Sequence, residues 1–370
     1  MLWRSTVYAT QGRWQLYLTI PPEPGSNEGS GSQTEEEDTR HGFGLTSALT
    51  WALPRGEITF GLEGRYDQAD YENWFATSRT RDSSRALVSA RQASGALFVQ
   101  SSFDLSPHVR ATVGGRYDEQ DTRSTPAGGT SVDHAKGILA PKFGLLVHVP
   151  VFGALYGNVS RGFRQTDGVI SDPTLPFITA WAYEVGAKLD RGPVSASVAL
   201  FRMDVDNEQT FNPITLTSTS GGSSRRQGVE LEGSLRASAS VTLNADFTFN
   251  DARYKQLIAG NGDTLNGARV FNTARYVGAL GASFAPTGSR WHARVSANLV
   301  GLYSPFNLPG VELPAYGLLH VSGGVRITRG GVLDIGIRNV LNHAYPELRA
   351  GSFVSPGQPR SVYASLQATL

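Results

Sequence analysis

The chain has 370 residues, of which 40% are hydrophobic, 18% charged and 10% aromatic, and it contains 42 glycines and no cysteine. This composition excludes disordered, collagen-like and disulfide-stapled chains, and the lack of cysteine excludes zinc sites built on thiolates. The 33 basic and 32 acidic residues leave a formal charge of +1, which gives no electrostatic footprint for nucleic acid as a partner.

Membrane insertion through helices is also excluded. No segment holds the roughly 18 consecutive apolar residues of a membrane-spanning helix, and residues 1–4 lack the charged start of a signal peptide. A transmembrane β-barrel is compatible with the sequence, because its strands show only an alternation of apolar and polar residues.

Strict alternation over about ten residues recurs along the whole chain. Each predicted strand has one apolar face, while charges lie on the other face in mid-strand. The apolar sets are, in chain order, Ile58, Phe60, Leu62 and Tyr66; Val109, Ala111, Val113 and Tyr117; Trp181, Tyr183, Val185 and Leu189; Val229, Leu231 and Leu235; Val241, Leu243, Phe247 and Phe249; and Trp291, Val295 and Leu299. The sequence therefore predicts an all-β protein.

Short and long connections alternate between these strands. Turns are predicted at residues 10–12, 53–56, 104–107, 149–152, 190–193, 236–240, 286–289 and 328–331. Long loops rich in Gly, Ser, Thr, Asn and Pro are predicted at residues 20–40, 67–91, 118–136, 162–179, 207–224, 254–272, 303–314 and 342–360. A transmembrane antiparallel β-barrel has this alternation, because its periplasmic turns are short and its extracellular loops are long.

These connections delimit about 17 strands, whereas bacterial single-chain barrels have an even number. With the carboxyl terminus in the periplasm, an odd number places Met1 at the outer rim and predicts that an amino-terminal part of the barrel is missing. A miscounted strand near the start is the other explanation. A soluble β-sandwich or propeller is the alternative fold, but aromatic residues cluster at the ends of the apolar faces, as in interfacial girdles.

Five segments resemble, in order, motifs of TonB-dependent outer-membrane receptors. They are Val-Ser-Arg-Gly-Phe-Arg at 159–164, Tyr-Glu-Val-Gly-Ala-Lys at 183–188, Gln-Gly-Val-Glu-Leu-Glu at 227–232, the penultimate strand and its Tyr-Pro at 333–346, and the closing strand at 356–370. The resemblance implies a barrel of about 22 strands around a separate plug domain. Residues 1–370 are then the barrel domain, with the plug, its box for TonB and about five strands missing.

The resemblance also implies a function, namely a receptor in the outer membrane of a Gram-negative cell that takes up a scarce nutrient such as a ferric siderophore. Its expected partners are that ligand, outer-membrane lipids and lipopolysaccharide, and the TonB complex through the plug of the parent protein. It implies no cofactor. A plugless, porin-like passive channel of about 16 to 18 strands is the alternative. Cobalamin, haem and oligosaccharide receptors share the scaffold, so the sequence does not identify the ligand.

Two groups of aromatic and basic residues near the outer loops are candidates for ligand binding. The first consists of Tyr71, Trp74, Phe75, Arg79, Arg81 and Arg85, and the second of Arg161, Phe163 and Arg164. Aromatic faces beside cations suit an anionic chelate, through stacking and charge-assisted hydrogen bonds. In the alternative interpretation these arginines contact lipopolysaccharide phosphates or water. The acidic run from Glu35 to Asp38 is predicted to be solvated, and divalent cations that bridge surface lipid would also suit it.

The sequence does not favour an enzyme. Its seven histidines show no metal-ligand spacing on one element, and its glycine pairs lack the strand-to-helix context of a phosphate-binding loop. His320, Ser322 and Asp334 fall on neighbouring predicted strands, and a hydrolase built on these three is the enzymatic alternative.

Overall fold

The structure is a computed structural model that describes residues 1–19, 33–150, 152–164, 172–212, 217–258, 264–305, 310–328, 330–350 and 353–368. Its strands are β1 (Leu2–Thr19), β2 (Gln33–Leu53), β3 (Gly56–Thr77), β4 (Thr80–Ser106), β5 (Val109–Pro126), β6 (Val132–Val149), β7 (Gly153–Arg164), β8 (Ile178–Arg191), β9 (Val194–Asn212), β10 (Thr217–Arg236), β11 (Val241–Gln256), β12 (Tyr276–Phe284), β13 (Trp291–Val300), β14 (Tyr316–Arg326), β15 (Gly331–Arg338), β16 (Pro346–Ala350), β17 (Phe353–Pro356) and β18 (Ser361–Ala368). Within the described ranges, no helix is long and apolar enough to cross a membrane.

Sixteen of these strands form one antiparallel sheet. Each strand from β1 to β14 pairs with the next one in the chain, and β15 pairs with β18. Strands β16 and β17 form a separate hairpin inside the last long connection. The all-β, antiparallel fold predicted from the sequence is confirmed.

The predicted connections delimit about 17 strands, but the sheet has 16 strands. The difference arises because no turn forms at residues 10–12. Strand β1 continues through this segment and stays paired with β2, with Thr10 opposite Gly42 and Gly12 opposite Arg40. Sixteen is an even number, so Leu2 and Ala368 lie at the same end of the sheet, which we call the short-turn end. The expected position of Met1 at the outer rim is therefore wrong.

The long connections between β1 and β10 are shorter than predicted, because the strands continue into them. The predicted loop at residues 67–91 is a hairpin of β3 and β4, in which Thr77 pairs with Thr80. Its turn residues Ser78 and Arg79 have φ angles of 51° and 64°, and two left-handed residues are typical of the tight turn that matches strand twist. The hairpin turns at the end of the sheet opposite the short-turn end, and we call this end the long-loop end.

One face of the sheet, the apolar face, carries exposed hydrophobic side chains across many strands. Leu97 on β4 is 66% exposed and Leu200 on β9 is 54% exposed. Two aromatic pairs bound this face. Phe43 and Tyr66 are stacked midway along β2 and β3, and the tilted rings of Phe284 and Trp291 lie at the short-turn end. A sandwich would bury such a face against a second sheet. An exposed apolar band between aromatic girdles is instead typical of a barrel wall in lipid.

The opposite face, the polar face, carries charged and hydrogen-bonded side chains. Arg116 on β5 bonds Asp118 on its own strand at 2.7 Å and Glu63 on β3 at 3.0 Å. Near the middle of the sheet, the Lys188 ammonium lies 5.2 Å from the centroid of the Tyr156 ring. In a barrel this face lines the lumen, where water or a plug can satisfy such groups.

Candidate ligand-binding site

The first candidate group lies on the outer part of the β3–β4 hairpin, beyond the Phe43–Tyr66 pair. Because neighbouring residues of a strand point to opposite faces, the hairpin divides this group. Phe75 pairs with Thr34 of β2 and shares the polar face with Tyr71, whereas Trp74 pairs with Glu35 on the other face. The predicted aromatic residues therefore do not form one site.

The polar-face part forms a compact cluster, which we call the lumenal cluster and which consists of Glu36, Tyr71, Asn73, Phe75 and Arg85. The side-chain amide of Asn73 donates to the Tyr71 hydroxyl at 3.0 Å and to the Glu36 carboxylate at 3.2 Å. The Arg85 guanidinium lies 5.8 Å from the centroid of the Phe75 ring. Burial raises the pKa of both Tyr71 and Glu36.

The lumenal cluster contains a hydrogen-bond acceptor without a partner. Asn73 is fully buried, and its Oδ1 atom accepts no hydrogen bond from the described residues. A buried polar atom without a partner costs about 1–3 kcal/mol. The cluster is therefore prepared to receive a donor, such as an N–H or O–H group of a ligand.

A second group of amides and hydroxyls on the polar face was missed by sequence reasoning. Gln120 of β5 donates to Gln92 Oε1 at 2.7 Å and to the Thr122 hydroxyl at 2.8 Å. Its own Oε1 atom is buried and has no partner among the described residues. These residues fall in or beside predicted loops. Polar side chains at positions 120, 122 and 124 nevertheless repeat every second residue, and this period would have indicated a strand.

On the other face of the hairpin, Arg81 is fully engaged by carboxylates. Its guanidinium bonds Glu35 at 2.8 Å, Glu37 at 2.7 Å and Glu72 at 2.8 Å, and Arg13 of β1 also bonds Glu37 at 2.8 Å. The hydrogen bond from Arg81 lowers the pKa of Glu35, and that from Arg13 lowers the pKa of Glu37. We call these five residues the Arg81 network. Because its charge is neutralised, Arg81 is poorly suited to bind an anion.

The aromatic side chains on this face also contact cations of the chain itself. Arg81 lies 5.2 Å from the Trp74 ring centroid, and Arg79 lies 5.2 Å from that of Tyr17 on β1. Trp74, Arg79 and Arg81 therefore join strands β1 to β4 to one another.

The predicted solvation of the acidic run is wrong for Glu35, which is 3% exposed, and for Asp38, which is 7% exposed.

The second candidate group lies at the outer end of β7. Arg161 donates to the Leu139 carbonyl of β6 at 3.3 Å, and the Phe163 ring packs against Phe177 with centroids 5.2 Å apart. Arg164 is exposed and makes no hydrogen bond or ion pair within the described part of the chain. Arg161 thus contacts β6, Phe163 contacts the residue that precedes β8, and Arg164 has no ion pair with the described residues.

An aromatic group at the long-loop end was not predicted. The rings of Tyr316 and Tyr345 are stacked, with centroids 4.4 Å apart. The Tyr303 hydroxyl lies 3.1 Å from the Pro346 carbonyl and 3.2 Å from the Glu347 carbonyl. Two of these tyrosines lie in predicted loops, where strand alternation gives no signal, so only tertiary contacts bring the three together.

Asn339 fixes the chain that leads to the β16–β17 hairpin. Its side chain donates to the carbonyls of His343 and Gln358 and accepts from the His343 amide, at 2.9 to 3.1 Å. Asn339 has a φ of 49°, and Asn342, whose side chain accepts one bond from the Arg360 amide, has a φ of 51°.

We expect Asn339→Gly to destabilise this connection by about 2 kcal/mol, because glycine keeps the left-handed backbone but loses three hydrogen bonds. Asn342→Gly is the matched control and loses only one. Amide hydrogen exchange of residues 343–358 measures the difference. Equal protection in the two variants would contradict the assigned role of the Asn339 side chain.

The histidines form neither a hydrolase triad nor a metal site in the described part of the chain. Asp334 bonds His292 at 2.8 Å, whereas the His320 ring contacts the Asn298 amide and the backbone nitrogen of Asn339. Among the described residues, no three His, Cys, Asp or Glu side chains are placed to hold a metal ion. The proposed arrangement of His320, Ser322 and Asp334 is therefore not formed.

Comparison with known proteins identifies related sequences and folds. A family model described as TonB dependent receptor-like, beta-barrel, matches residues 2–340. The copper transporter OprC superimposes with a TM-score of 0.81 at 13% identity, over 99% of this chain and 62% of that chain. The ferric citrate transporter FecA in its unliganded form gives 0.79 at 16% identity, over 99% and 58%. The ferric yersiniabactin uptake receptor FyuA from Yersinia pestis gives 0.77 at 16% identity, over 99% and 58%. The chain spans less than two thirds of each of these structures, and at these identities the likeness concerns the fold.

Proposed function

Because the chain belongs to the TonB-dependent receptor-like β-barrel family, whose model matches residues 2–340, we propose that it forms the barrel wall of an outer-membrane receptor for a metal chelate such as a ferric siderophore. The plug and the remaining strands belong to the parent protein, and TonB acts through that plug. The apolar face contacts outer-membrane lipid, including lipopolysaccharide at the long-loop end. No catalytic step is part of this function.

The lumenal cluster is the observation that carries this proposal. It combines a ring with a guanidinium above it, at Phe75 and Arg85, with the Asn73 Oδ1 atom, which has no hydrogen-bond partner among the described residues. An aromatic anionic chelate can stack on Phe75 and is attracted by the charge of Arg85. A hydroxyl or amide group of the chelate can donate a hydrogen bond to Asn73 Oδ1. Glu36 adds a negative charge beside Asn73, which favours ligands that present a donor at this point.

Neighbouring aromatic residues on opposite faces provide a direct test. We expect Phe75→Ala to weaken binding of the chelate about tenfold or more, because aromatic contacts of this kind contribute about 1–2 kcal/mol. Trp74→Ala, one residue away on the other face, should leave binding unchanged. Affinity of the purified chain for ferric catecholate, ferric hydroxamate, ferric citrate and cupric ions is measured by intrinsic fluorescence quenching.

The outcomes separate the alternatives. Equal losses in both variants would show that the lumenal cluster has no special role in binding. Absence of binding to every chelate, together with a steady single-channel conductance in planar bilayers, would instead support the plugless passive channel.

A further inference from the structure

A trench of small residues crosses the apolar face near the short-turn end. Its floor consists of Ala196, Gly233 and Ala245, which lie directly opposite one another on β9, β10 and β11. The next pairs along the strands form its walls, with Val198, Leu231 and Phe247 on one side and Val194, Leu235 and Leu243 on the other. We call this feature the small-residue trench.

Two cavities give the small-residue trench its size. One, of about 580 Å³, contains the floor and continues across β12 and β13 to Leu319. The other, of about 700 Å³, continues in the opposite direction to Leu155 and Phe152, and the two share Ala196. Neighbouring strands are about 4.8 Å apart, so a trench across several strands has the length and width of an acyl chain.

The polar end of the trench carries a cation. Arg191 pairs with Val194, so it extends the wall nearer the short-turn end. It is exposed and makes no hydrogen bond or ion pair with the described residues. Arg191 also lines a polar cavity of about 620 Å³ with His108, His148 and Asp190. Asp190 is the adverse charge there, but strand alternation directs it to the opposite face from Arg191.

From this arrangement we infer that the small-residue trench binds one anionic glycerophospholipid, with an acyl chain over Ala196, Gly233 and Ala245 and the phosphate at Arg191. The short turns of such barrels lie on the periplasmic side, where the outer membrane consists of glycerophospholipid, so this leaflet is the source. Strands cross the bilayer at about 45°, and a trench across them is inclined by a similar angle, which a lipid chain can follow.

The physical basis of binding is packing and charge rather than the hydrophobic effect. An acyl chain gains no hydrophobic energy on moving from bulk lipid to an apolar trench. It gains dispersion contacts with the walls, and its headgroup gains the charge-assisted bonds of a guanidinium. The site should therefore distinguish lipids by headgroup and should be sensitive to the depth of the trench.

The test measures binding of dioleoyl phosphatidylglycerol to the full, delipidated chain in detergent by native mass spectrometry, with dioleoyl phosphatidylcholine as the zwitterionic comparison. We expect one saturable phosphatidylglycerol, bound at least fivefold more tightly than phosphatidylcholine. Ala196→Leu fills the floor and should weaken binding at least tenfold. Arg191→Gln should reduce the affinity for phosphatidylglycerol to that for phosphatidylcholine.

Matched controls keep the test specific. Ala93→Leu adds the same side chain elsewhere on the apolar face, opposite Tyr66, and Arg290→Gln removes another exposed cation at the short-turn end. Both should bind phosphatidylglycerol normally. Gly233→Val fills a second point of the floor if Ala196→Leu does not fold. Unchanged binding after filling the floor, or equal losses at Arg191 and Arg290, would overturn the inference. Neither result bears on chelate binding, because the two sites lie on opposite faces.

Discussion

Replacement of Gly228 by alanine is expected to prevent normal assembly of the sheet, whereas the same change at Gly233 on the same strand is tolerated. A Cβ atom on Gly228 would lie 1.8 Å from the Phe249 carbonyl oxygen of β11 and 3.0 Å from the Phe201 ring of β9. The nearest contact is backbone, so β10 and β11 would have to separate. At Gly233 the nearest atom is 3.9 Å away, an ordinary contact distance.

The expected cost at Gly228 is about 3 kcal/mol, at the upper end of overpacking effects, because a ladder of hydrogen bonds is disturbed as well as a side chain. The measurements are the fraction of chain that reaches the heat-modifiable folded form and the urea midpoint of unfolding. If Gly228→Ala and Gly233→Ala fold equally well, the close approach of β10 and β11 is not required for assembly.

Arg81→Met is expected to loosen the outer ends of β1 to β4. It leaves Glu35, Glu37 and Glu72 without their shared cation, and Glu35 is 3% exposed. Removing the partner of a buried charge costs about 3–5 kcal/mol. The Arg81 side chain is itself 34% exposed, so screening reduces this to about 2 kcal/mol. Amide hydrogen exchange at residues 33–40 and 67–91 should accelerate about thirtyfold.

Acid should remove the difference in amide exchange between Arg81→Met and the unaltered chain. The pKa of Glu35 and that of Glu37 are lowered from 4.5 in the folded chain, so these carboxylates stabilise the fold above about pH 4.5. That contribution is lost as the pH falls through their folded pKa values. Exchange rates of Arg81→Met and of the unaltered chain should therefore differ above about pH 4.5 and converge only once the pH is below the lowered, folded-state pKa values of these carboxylates.

A surface ion pair on the next hairpin is the matched control. Arg123 and Asp133 join β5 and β6 at the long-loop end, and both side chains are more than 40% exposed. Arg123→Met should change local exchange by less than about fivefold, since exposed pairs contribute about 1 kcal/mol or less. A similar response of the two variants would show that burial of Glu35 does not set the strength of the Arg81 network.

Local sequence patterns located the segment that carries the candidate site but did not predict the faces on which its side chains lie. The concentration of aromatic and basic residues predicted a ligand-binding segment that contains Tyr71 and Phe75. Its composition also predicted a loop, in which residues have no fixed face. Because β3 continues to Thr77 and β4 begins at Thr80, the alternation of a strand separates Trp74 and Arg81 from Tyr71 and Phe75.

The sequence alone determined the all-β class, the apolar face and the position of most connections along the chain, because side-chain alternation and turn composition are local properties of an extended chain. Only the tertiary structure decided the length of the hairpins, the continuity of β1 through Gly12 and the partners of Glu35 and Asn73. The outer parts of the strands are polar on both faces, so their sequence shows no contrast in hydrophobicity between the faces, and their register depends on pairing with neighbouring strands. Contacts between residues far apart in the chain, such as Arg81 with Glu35, therefore could not be derived from sequence.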